Sequence, residues 1–371
     1  MAGRKAQAVE PVDDERSRAL ARALEPWFLA NQREMSWRKT RDPYSIWVSE
    51  IMLQQTRVET VERFYDAFLR RFPTLEALAA AEQEAVLQQW SGLGYYRRAR
   101  LLHKGAQFVA RELGGTIPPD PAALRSIPGI GDYTAGAISS IAFDRPSPLV
   151  DGNVARVLSR IEGIEEPKQQ LATARRHWGR VAGILKHGTP RNLAQSLMEL
   201  GATVCTPKSP SCAQCPVKKH CDAHRDGSTD RIPAPRKKVA QPVDVLLALA
   251  VTWRGRLLLV RRPAEGLLAD LWCMPLLPAP NLPTFDGDAA SALLTVAPRW
   301  ADAPLAEVRH VFTHRIWKLH PLLGKAARKP RLEDVPAERQ CWIAPGERPE
   351  GGLPRVTQKI LERVGFAAPR E

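Results

Sequence analysis

The chain has 371 residues, which at roughly 150 residues per domain predicts two domains. Its 44% apolar and 25% charged residues exclude a wholly disordered protein. The 54 Lys and Arg residues exceed the 40 Asp and Glu residues by 14, which favours a polyanionic partner, either nucleic acid or a membrane surface. No window approaches the ~18 to 20 apolar residues of a membrane span. The charged residues 1–17 lack the hydrophobic stretch of a secretory signal, so we expect a cytoplasmic protein.

The first half of the chain has helical periodicity. Residues 1–14 are expected to be disordered, and residues 15–229 to form one all-α domain. Apolar residues repeat with a period near 3.6 from Ile46 to Leu69, and the pattern predicts one helix over residues 44–72. Short Gly and Pro breaks, and not β-branched runs, separate such stretches.

The second half changes character after a Pro-rich segment. Residues 230–242 contain Pro233, Pro235 and Pro242 around a basic triplet, a composition typical of a linker. Residues 243–251 and 257–260 then predict two strands joined by a tight turn, the start of an α+β domain over residues 243–365. Residues 1–240 hold 36 basic and 26 acidic residues, net +10, so most of the positive charge lies in the helical half.

Four cysteines are clustered near the end of the helical half. Cys205, Cys212, Cys215 and Cys221 are separated by six, two and five residues. Four thiolates this close in sequence predict a metal centre. The residue types alone leave two candidates open, tetrahedral zinc and a cubane iron–sulfur cluster.

A glycine-containing turn lies in the middle of the helical half. Residues 127–131 read Ile-Pro-Gly-Ile-Gly, and a new helix is expected to start near Asp132. Gly129 and Gly131 would let backbone N–H groups point outward at a helix N-terminus, an arrangement that binds phosphate. A plain turn between two helices is an equally good interpretation.

Two acidic residues are candidates for catalysis. Glu50 lies among large apolar residues of its predicted helix, and burial would raise its pKa and suit it to general acid catalysis. Asp151 would cap the helix that runs to Arg160, which is a structural role by itself. The spacing between these two residues does not show that they meet.

Several motifs together resemble a known family. Residues 127–131, residues 150–156 and the cysteine spacing are similar to the helix-hairpin-helix DNA glycosylase superfamily with its iron–sulfur loop. Residues 36–38, 49–57 and 92–96 resemble its MutY-type adenine DNA glycosylase branch. The resemblance begins at about residue 17 and covers nearly all of the remaining chain. It implies an all-α helix-hairpin-helix region with a 4Fe–4S loop, followed by an α+β Nudix-like domain.

The resemblance also implies roles for the site residues. Glu50 would protonate N7 of adenine, Asp151 would stabilise the oxocarbenium-like sugar, and Asn153 would help to hold this site. Relatives that also cleave the strand carry a lysine at the position of Tyr133, whose amine forms a Schiff base. Because a phenol cannot form that imine, the expected enzyme is monofunctional and leaves an abasic site.

The remaining implied roles concern DNA and the cofactor. Gln55 would wedge into the gap left by the flipped base, with Leu93 and Tyr95 probing the base opposite. The target base or its phosphates would be met by Arg38, Gly129 and Gly131, and the four cysteines would hold a 4Fe–4S cluster.

The C-terminal half resembles a module that is related to Nudix hydrolases and recognises 8-oxoguanine. Residues 266–272 match its opening, but the Glu-rich metal helix of a Nudix hydrolase does not follow. Phe312, Thr313 and His314 match its recognition loop, with Thr313 where serine is usual.

The expected function is therefore hydrolysis of adenine from duplex DNA opposite 8-oxoguanine or guanine by a monomer that does not bind membranes. One alternative is a strand-cleaving glycosylase for pyrimidine lesions, which Tyr133 and the second domain disfavour. A non-catalytic DNA-lesion binder is disfavoured by the presence of both Glu50 and Asp151. A Nudix-type nucleotide hydrolase is disfavoured by the missing acidic helix.

Overall fold

A computed structural model describes residues 13–167, 170–235, 240–280 and 287–367. The chain divides into two compact units, Met1–Ala80 with Leu101–Lys237, and Ala81–Arg100 with Lys238–Glu371. Of the segment predicted to be disordered, residues 1–12 lie outside the described residues. Residues 13 and 14 are ordered, because Asp13 caps the first helix and accepts a hydrogen bond from the backbone N–H of Arg16.

Helices dominate the described part of the chain up to residue 235. They are α1 Asp14–Asn31, α2 Pro43–Leu53, α3 Val58–Arg71, α4 Leu75–Ala79, α5 Gln83–Gln89, α6 Arg97–Glu112, α7 Pro121–Leu124, α8 Asp132–Phe143, α9 Gly152–Ile161, α10 Leu171–Leu185, α11 Pro190–Thr203 and α12 Asp222–Arg225. Short 3-10 turns lie at Ser36–Arg38, Cys212–Gln214 and Lys218–His220. The predicted all-α character of this region is confirmed. Among the described residues, no helix is both long and apolar enough to cross a membrane.

The core of the first unit forms around α11. This helix packs against α1, α8 and α9, and α8 also packs against α2. Leucines from three of these helices, Leu20, Leu158 and Leu197, are fully buried there. The amino-terminal ends of α8 and α9 are thereby fixed close to α2 and α11.

The predicted single helix over residues 44–72 is wrong. Helix α2 ends at Leu53 and α3 begins at Val58. Between them, Gln55 has a backbone φ of 57°, a left-handed conformation that cannot continue a right-handed helix. The apolar pattern concealed this break because apolar residues continue on both sides of it, on all faces of α2 and along one stripe of α3.

The second unit is built around a mixed β-sheet. Its described elements are β1 Val243–Trp253, β2 Arg256–Arg261, β3 Trp272–Cys273, β4 Leu276–Pro278, α13 Gly287–Ser291, β5 Arg299–Trp300, β6 Val308–Val311, β7 Ile316–Lys325, β8 Gln340–Ile343 and α14 Arg355–Arg363. The strands lie in the order β3-β2-β1-β7-β5, with β4 on β1, β6 on β7 and β8 on β2. Strands β1 and β7 are parallel, and the other pairs are antiparallel. The predicted α+β class is therefore confirmed.

Strand β1 explains why both faces of this sheet are covered. Its alternate residues enter two separate cores, Ala248 and Ala250 on one face and Leu247 and Leu249 on the other. Side chains of successive strand residues point to opposite faces of the sheet, and this continuous apolar run is therefore buried on both faces. The predicted tight turn is a two-residue hairpin at residues 254 and 255, both with positive φ.

Residues 81–100 belong to this second unit, a placement that the sequence did not predict. Glu84 forms a 2.6 Å ion pair with Arg261, and the hydroxyl of Tyr96 donates a 2.9 Å hydrogen bond to the carbonyl of Leu353. The predicted linker over residues 230–242 contains Ile232, which is buried in the first unit. Residues 236–239, which include the basic triplet, lie outside the described residues.

Candidate active site

A cavity of about 470 Å³ lies in the first unit, within the size range of ligand sites. Its walls come from α2, from the break between α2 and α3, and from α8, α9 and α11. Six of the predicted site residues line it: Arg38, Glu50, Gln55, Tyr133, Asp151 and Asn153. The tertiary structure therefore brings together the two carboxylates that sequence spacing could not connect.

Glu50 is a buried acid on α2. It is only 5% exposed, and the hydroxyl of Tyr133 donates a 2.8 Å hydrogen bond to its carboxylate. Burial raises the pKa of Glu50 to about 7, and the nearby charge of Asp151 acts in the same direction. The Tyr133 hydrogen bond and the charge of Arg38 only partly offset burial. Glu50 can therefore hold or release a proton near neutral pH.

Tyr133 lies in the first turn of α8. Burial, together with the neighbouring carboxylates, raises its pKa well above the ordinary value, so its phenol keeps its proton. Besides donating to Glu50, its hydroxyl lies 3.3 Å from the sulfur of Met198. The Tyr133 hydroxyl is therefore held in place as a hydrogen-bond donor to Glu50.

Asp151 is the N-cap of α9, as the sequence predicted. Its Oδ1 accepts hydrogen bonds from the backbone N–H groups of Asn153 at 2.9 Å and Val154 at 2.7 Å. Amide donors and the positive end of a helix dipole favour a negative charge at this position. Glu50 and Asp151 therefore lie in opposite environments of the cavity, Glu50 buried among apolar residues and Asp151 at a helix N-terminus.

Arg156 holds the side chain of Asn153 in place. Arg156 donates hydrogen bonds to the side-chain oxygen of Asn153 at 2.9 Å, the carbonyl of Gly201 at 2.7 Å and the carbonyl of Cys205 at 2.9 Å. A Cβ at Gly201 would lie 2.7 Å from the Cβ of Asn153. Glycine therefore permits the close approach of α11 to the start of α9.

Sequence reasoning missed Glu199, which also lines the cavity. Its side chain is 1% exposed and forms ion pairs with Arg33 at 2.8 Å and Arg38 at 2.7 Å. Burial by itself would raise its pKa, but the hydrogen bonds from the two arginines outweigh it and lower the pKa to about 2. Glu199 is the sole acidic residue of the sequence of α11, a signal that could have singled it out.

The hairpin glycines lie beside this site at the start of α8. Gly129 has a φ of 88°, and a Cβ there would lie 2.8 Å from Leu101. Gly131 is the N-cap of α8, and a Cβ there would meet nothing within 4 Å. The space in front of the α8 N-terminus is therefore open.

The residues predicted to contact the base opposite the target adenine lie in the second unit. Tyr95 is 49% exposed, whereas Leu93 is buried, at 5% exposure. The hydroxyl of Tyr95 lies 3.4 Å from Oγ1 of Thr313, although the two residues are 218 positions apart. In the same loop Phe312 packs between aromatic rings, and His314 is exposed.

The four clustered cysteines surround one small cavity in the first unit. None of the four forms a disulfide, and Arg160 donates a 3.3 Å hydrogen bond to the sulfur of Cys205. Burial raises the pKa of Cys215 to about 12. Within the described ranges, no three His, Cys, Asp or Glu side chains are arranged to hold a single metal ion. The thiols therefore face a common space but do not converge on one point.

Comparison with known proteins agrees with this geometry. Residues 48–182 match the family of HhH-GPD superfamily base excision DNA repair proteins, and residues 247–363 match the NUDIX domain. The chain is 36% identical over 356 residues to the adenine DNA glycosylase of Rattus norvegicus, covering 80% of this chain and 68% of that protein. It is 31% identical over 347 residues to the adenine DNA glycosylase of Buchnera aphidicola subsp. Schizaphis graminum, covering 91% and 96%.

The chain belongs to the adenine DNA glycosylase family. It is therefore a DNA-binding enzyme that hydrolyses N-glycosyl bonds in base excision repair. Its helical region also resembles the solved structure of a thermostable thymine-DNA glycosylase, with a TM-score of 0.53, 26% identity and coverage of 57% of this chain and 98% of that one. The family predicted from the motifs is confirmed.

The opposite environments of Glu50 and Glu199 predict opposite effects of substitution on stability. Because the pKa of Glu50 is about 7 in the folded protein and its ordinary value is near 4.5, stability falls as pH rises between these values. Glu50→Gln should therefore raise the free energy of unfolding at pH 8 by up to about 3 kcal/mol, and by less at pH 5. Urea denaturation at both pH values measures this change.

Glu199→Gln is the matched comparison in the same cavity. The pKa of Glu199 is lowered to about 2, so its ionised form stabilises the fold above its ordinary pKa and is lost only in strong acid. This variant should be less stable than the wild type at both pH 5 and pH 8. A Glu50→Gln protein less stable than the wild type at pH 8 would contradict the burial of Glu50.

Proposed function

We propose that this enzyme removes adenine opposite 8-oxoguanine or guanine in duplex DNA and leaves an abasic site. The observation that carries the proposal is the pairing, in one cavity, of a buried Glu50 with an Asp151 that caps a helix. Hydrolysis of an N-glycosidic bond needs one carboxyl group that can donate a proton and one that stays ionised.

Glu50 acts as the general acid in this proposal. The adenine must leave the base stack to reach the cavity, as in other enzymes that act on a base. A carboxyl group with a pKa of about 7 is partly protonated at neutral pH and can donate to N7 of the base. Adenine then leaves as a neutral molecule, and the hydrogen bond from Tyr133 keeps the carboxyl group oriented.

Asp151 stabilises the sugar while the bond breaks. The departing base leaves an oxocarbenium-like sugar with a positive charge, and a carboxylate held in place beforehand lowers the energy of that charge. One oxygen of Asp151 is fixed by two backbone amides. Water then forms a bond to C1′ of the sugar and gives one proton to the Glu50 carboxylate, which restores the acid. The Arg156 contacts keep Asn153, and with it the start of α9, in position.

Arg38 contributes to binding the flipped base in this proposal. Its guanidinium lines the cavity, where it is held by hydrogen bonds to the carbonyl of Arg33 and to the carboxylate of Glu199. A guanidinium has donors beyond those two bonds and can donate to the ring nitrogens of adenine.

The base opposite is read in the second unit. Tyr95 and Thr313 bring two hydroxyl groups to within 3.4 Å of each other. Hydroxyl groups both donate and accept, so they suit the N7–H and O8 atoms that distinguish 8-oxoguanine from guanine.

The open N-terminus of α8 at Gly131 suits a backbone phosphate. We further propose that the enzyme acts as a cytoplasmic monomer.

The four cysteines hold a 4Fe–4S cluster in this proposal. The support is that all four cysteines line one cavity. Bonds from the four cysteine thiolates to such a cluster would tie the loop together. Arg156 and Arg160 contact the backbone or side chain of Cys205 and thereby connect this loop to α9.

The activity is tested with a duplex that carries adenine opposite 8-oxoguanine. The expected products are free adenine and an abasic strand that breaks only after alkali, because Tyr133 cannot form an imine. Chromatography of released base and denaturing gels measure both. Strand breaks without alkali would favour a strand-cleaving glycosylase, and failure to release adenine would reject the proposal.

The role of Glu50 is tested with Glu50→Gln, which keeps the shape but cannot donate an acidic proton. Adenine release should fall by about 10²-fold or more, whereas duplex affinity should stay close to that of the wild type. Glu34→Gln is the control, because the Glu34 side chain is 92% exposed and should have no effect. Normal turnover by Glu50→Gln would reject Glu50 as the acid.

The cofactor is tested by metal analysis of the purified protein. We expect about four iron and four sulfide per chain, as in a cubane cluster, and a brown protein. Cys215→Ser should lower the iron content, while Cys341→Ser, which changes a cysteine of the second unit, should not. A colourless protein with one zinc would refute the cluster.

A further inference from the structure

The loop that carries Tyr95 has an unusual backbone. Within residues 91–96, Gly92 and Gly94 have φ values of 110° and 72°, and Tyr95 has a φ of 48°. Glycine adopts such values freely, but a residue with a side chain does so only where its surroundings hold it. Something must therefore stabilise Tyr95 in this conformation while its ring stays half exposed.

Arg98 makes the contacts that do this. Its guanidinium carbon lies 5.4 Å from the centre of the Tyr95 ring and 5.5 Å from that of Trp90. Its Nη2 lies 3.4 Å from the carbonyl oxygen of Leu93 and 3.3 Å from that of Gly94. The indole N–H of Trp90 donates to the same Gly94 carbonyl at 3.1 Å.

The two ends of the loop are anchored elsewhere in the second unit. The hydroxyls of Ser91 and Tyr96 both donate to the carbonyl of Leu353, at 3.2 and 2.9 Å. With both ends fixed, the position of the Tyr95 ring depends on what holds the middle of the loop. Arg98 is 9% exposed, and although burial lowers its pKa to about 10, it stays charged at neutral pH.

We propose that Arg98 is a positioning residue that presents Tyr95, beside Thr313, to the base opposite the target adenine. The part played by Tyr95 at the DNA rests on the proposed function. The hold of Arg98 on the loop rests on its own contacts. Lysine cannot replace it, because a planar guanidinium stacks on a ring while donating to two carbonyls, whereas an ammonium group is a compact point charge.

The first test measures the loop without DNA. Hydrogen exchange detected by mass spectrometry is compared among wild type, Arg98→Lys, Arg98→Met and Arg97→Met, the last being an exposed neighbour that serves as the matched control. Both Arg98 variants should exchange about tenfold faster over residues 91–96, with α11 unchanged as an internal check on folding. Unchanged exchange in residues 91–96 would overturn the proposal.

The second test measures base preference. The ratio of affinities for adenine opposite 8-oxoguanine and adenine opposite guanine should fall about tenfold in Arg98→Met and nearly as much in Arg98→Lys. In a Tyr95→Ala background, Arg98→Met should cause no further fall. Full rescue by lysine, or additive effects in the double variant, would overturn the proposal.

The two readouts also separate this inference from the proposed function. A wild-type protein with no preference for 8-oxoguanine would reject the proposed recognition. In that case, faster hydrogen exchange over residues 91–96 in the Arg98 variants would still support the inference that Arg98 stabilises the loop. Exchange at the wild-type rate would still overturn that inference.

Discussion

The burial of the Glu50 carboxyl group is the constraint on which the rest of the site depends. Tyr133 donates a hydrogen bond to this buried carboxylate. A glutamate removed from water favours its protonated form, which an acid catalyst needs. Helices α2 and α8 pack against each other, Glu50 is buried, and the Tyr133 hydroxyl donates to its carboxylate. The raised pKa of Glu50 therefore depends on helix packing as much as on the glutamate itself.

The second carboxylate depends on a different constraint. Asp151 faces the same cavity because α9 starts where α11 passes, and Gly201 allows the two helices to approach. Arg156 then connects Asn153, α11 and the cysteine loop through three short hydrogen bonds. The position of Asp151 is thus set by packing between helices, and the first turn of α9 supplies the amides that hold its charge.

Features that depend on neighbouring residues were predictable from the sequence. The Asp151 cap, the start of α8 near Asp132 and the hairpin at residues 254–255 each follow from local chemistry, and the motifs identified the family. Features that depend on distant contacts were not. The helix break at Gln55, the Glu199 ion pairs and the placement of residues 81–100 in the second unit are set by partners far away in sequence, which periodicity does not reveal.

Titration of Glu50 tests most directly whether burial keeps this carboxyl group protonated near neutral pH. In protein with ¹³C-labelled glutamate side chains, the carboxyl resonance absent from Glu50→Gln identifies the residue, and its shift is followed from pH 4 to pH 9. We expect a midpoint near pH 7, the value to which burial raises its pKa. A midpoint near the ordinary value of 4.5 would show that Glu50 is ionised at neutral pH and would rule out its proposed role as the proton donor.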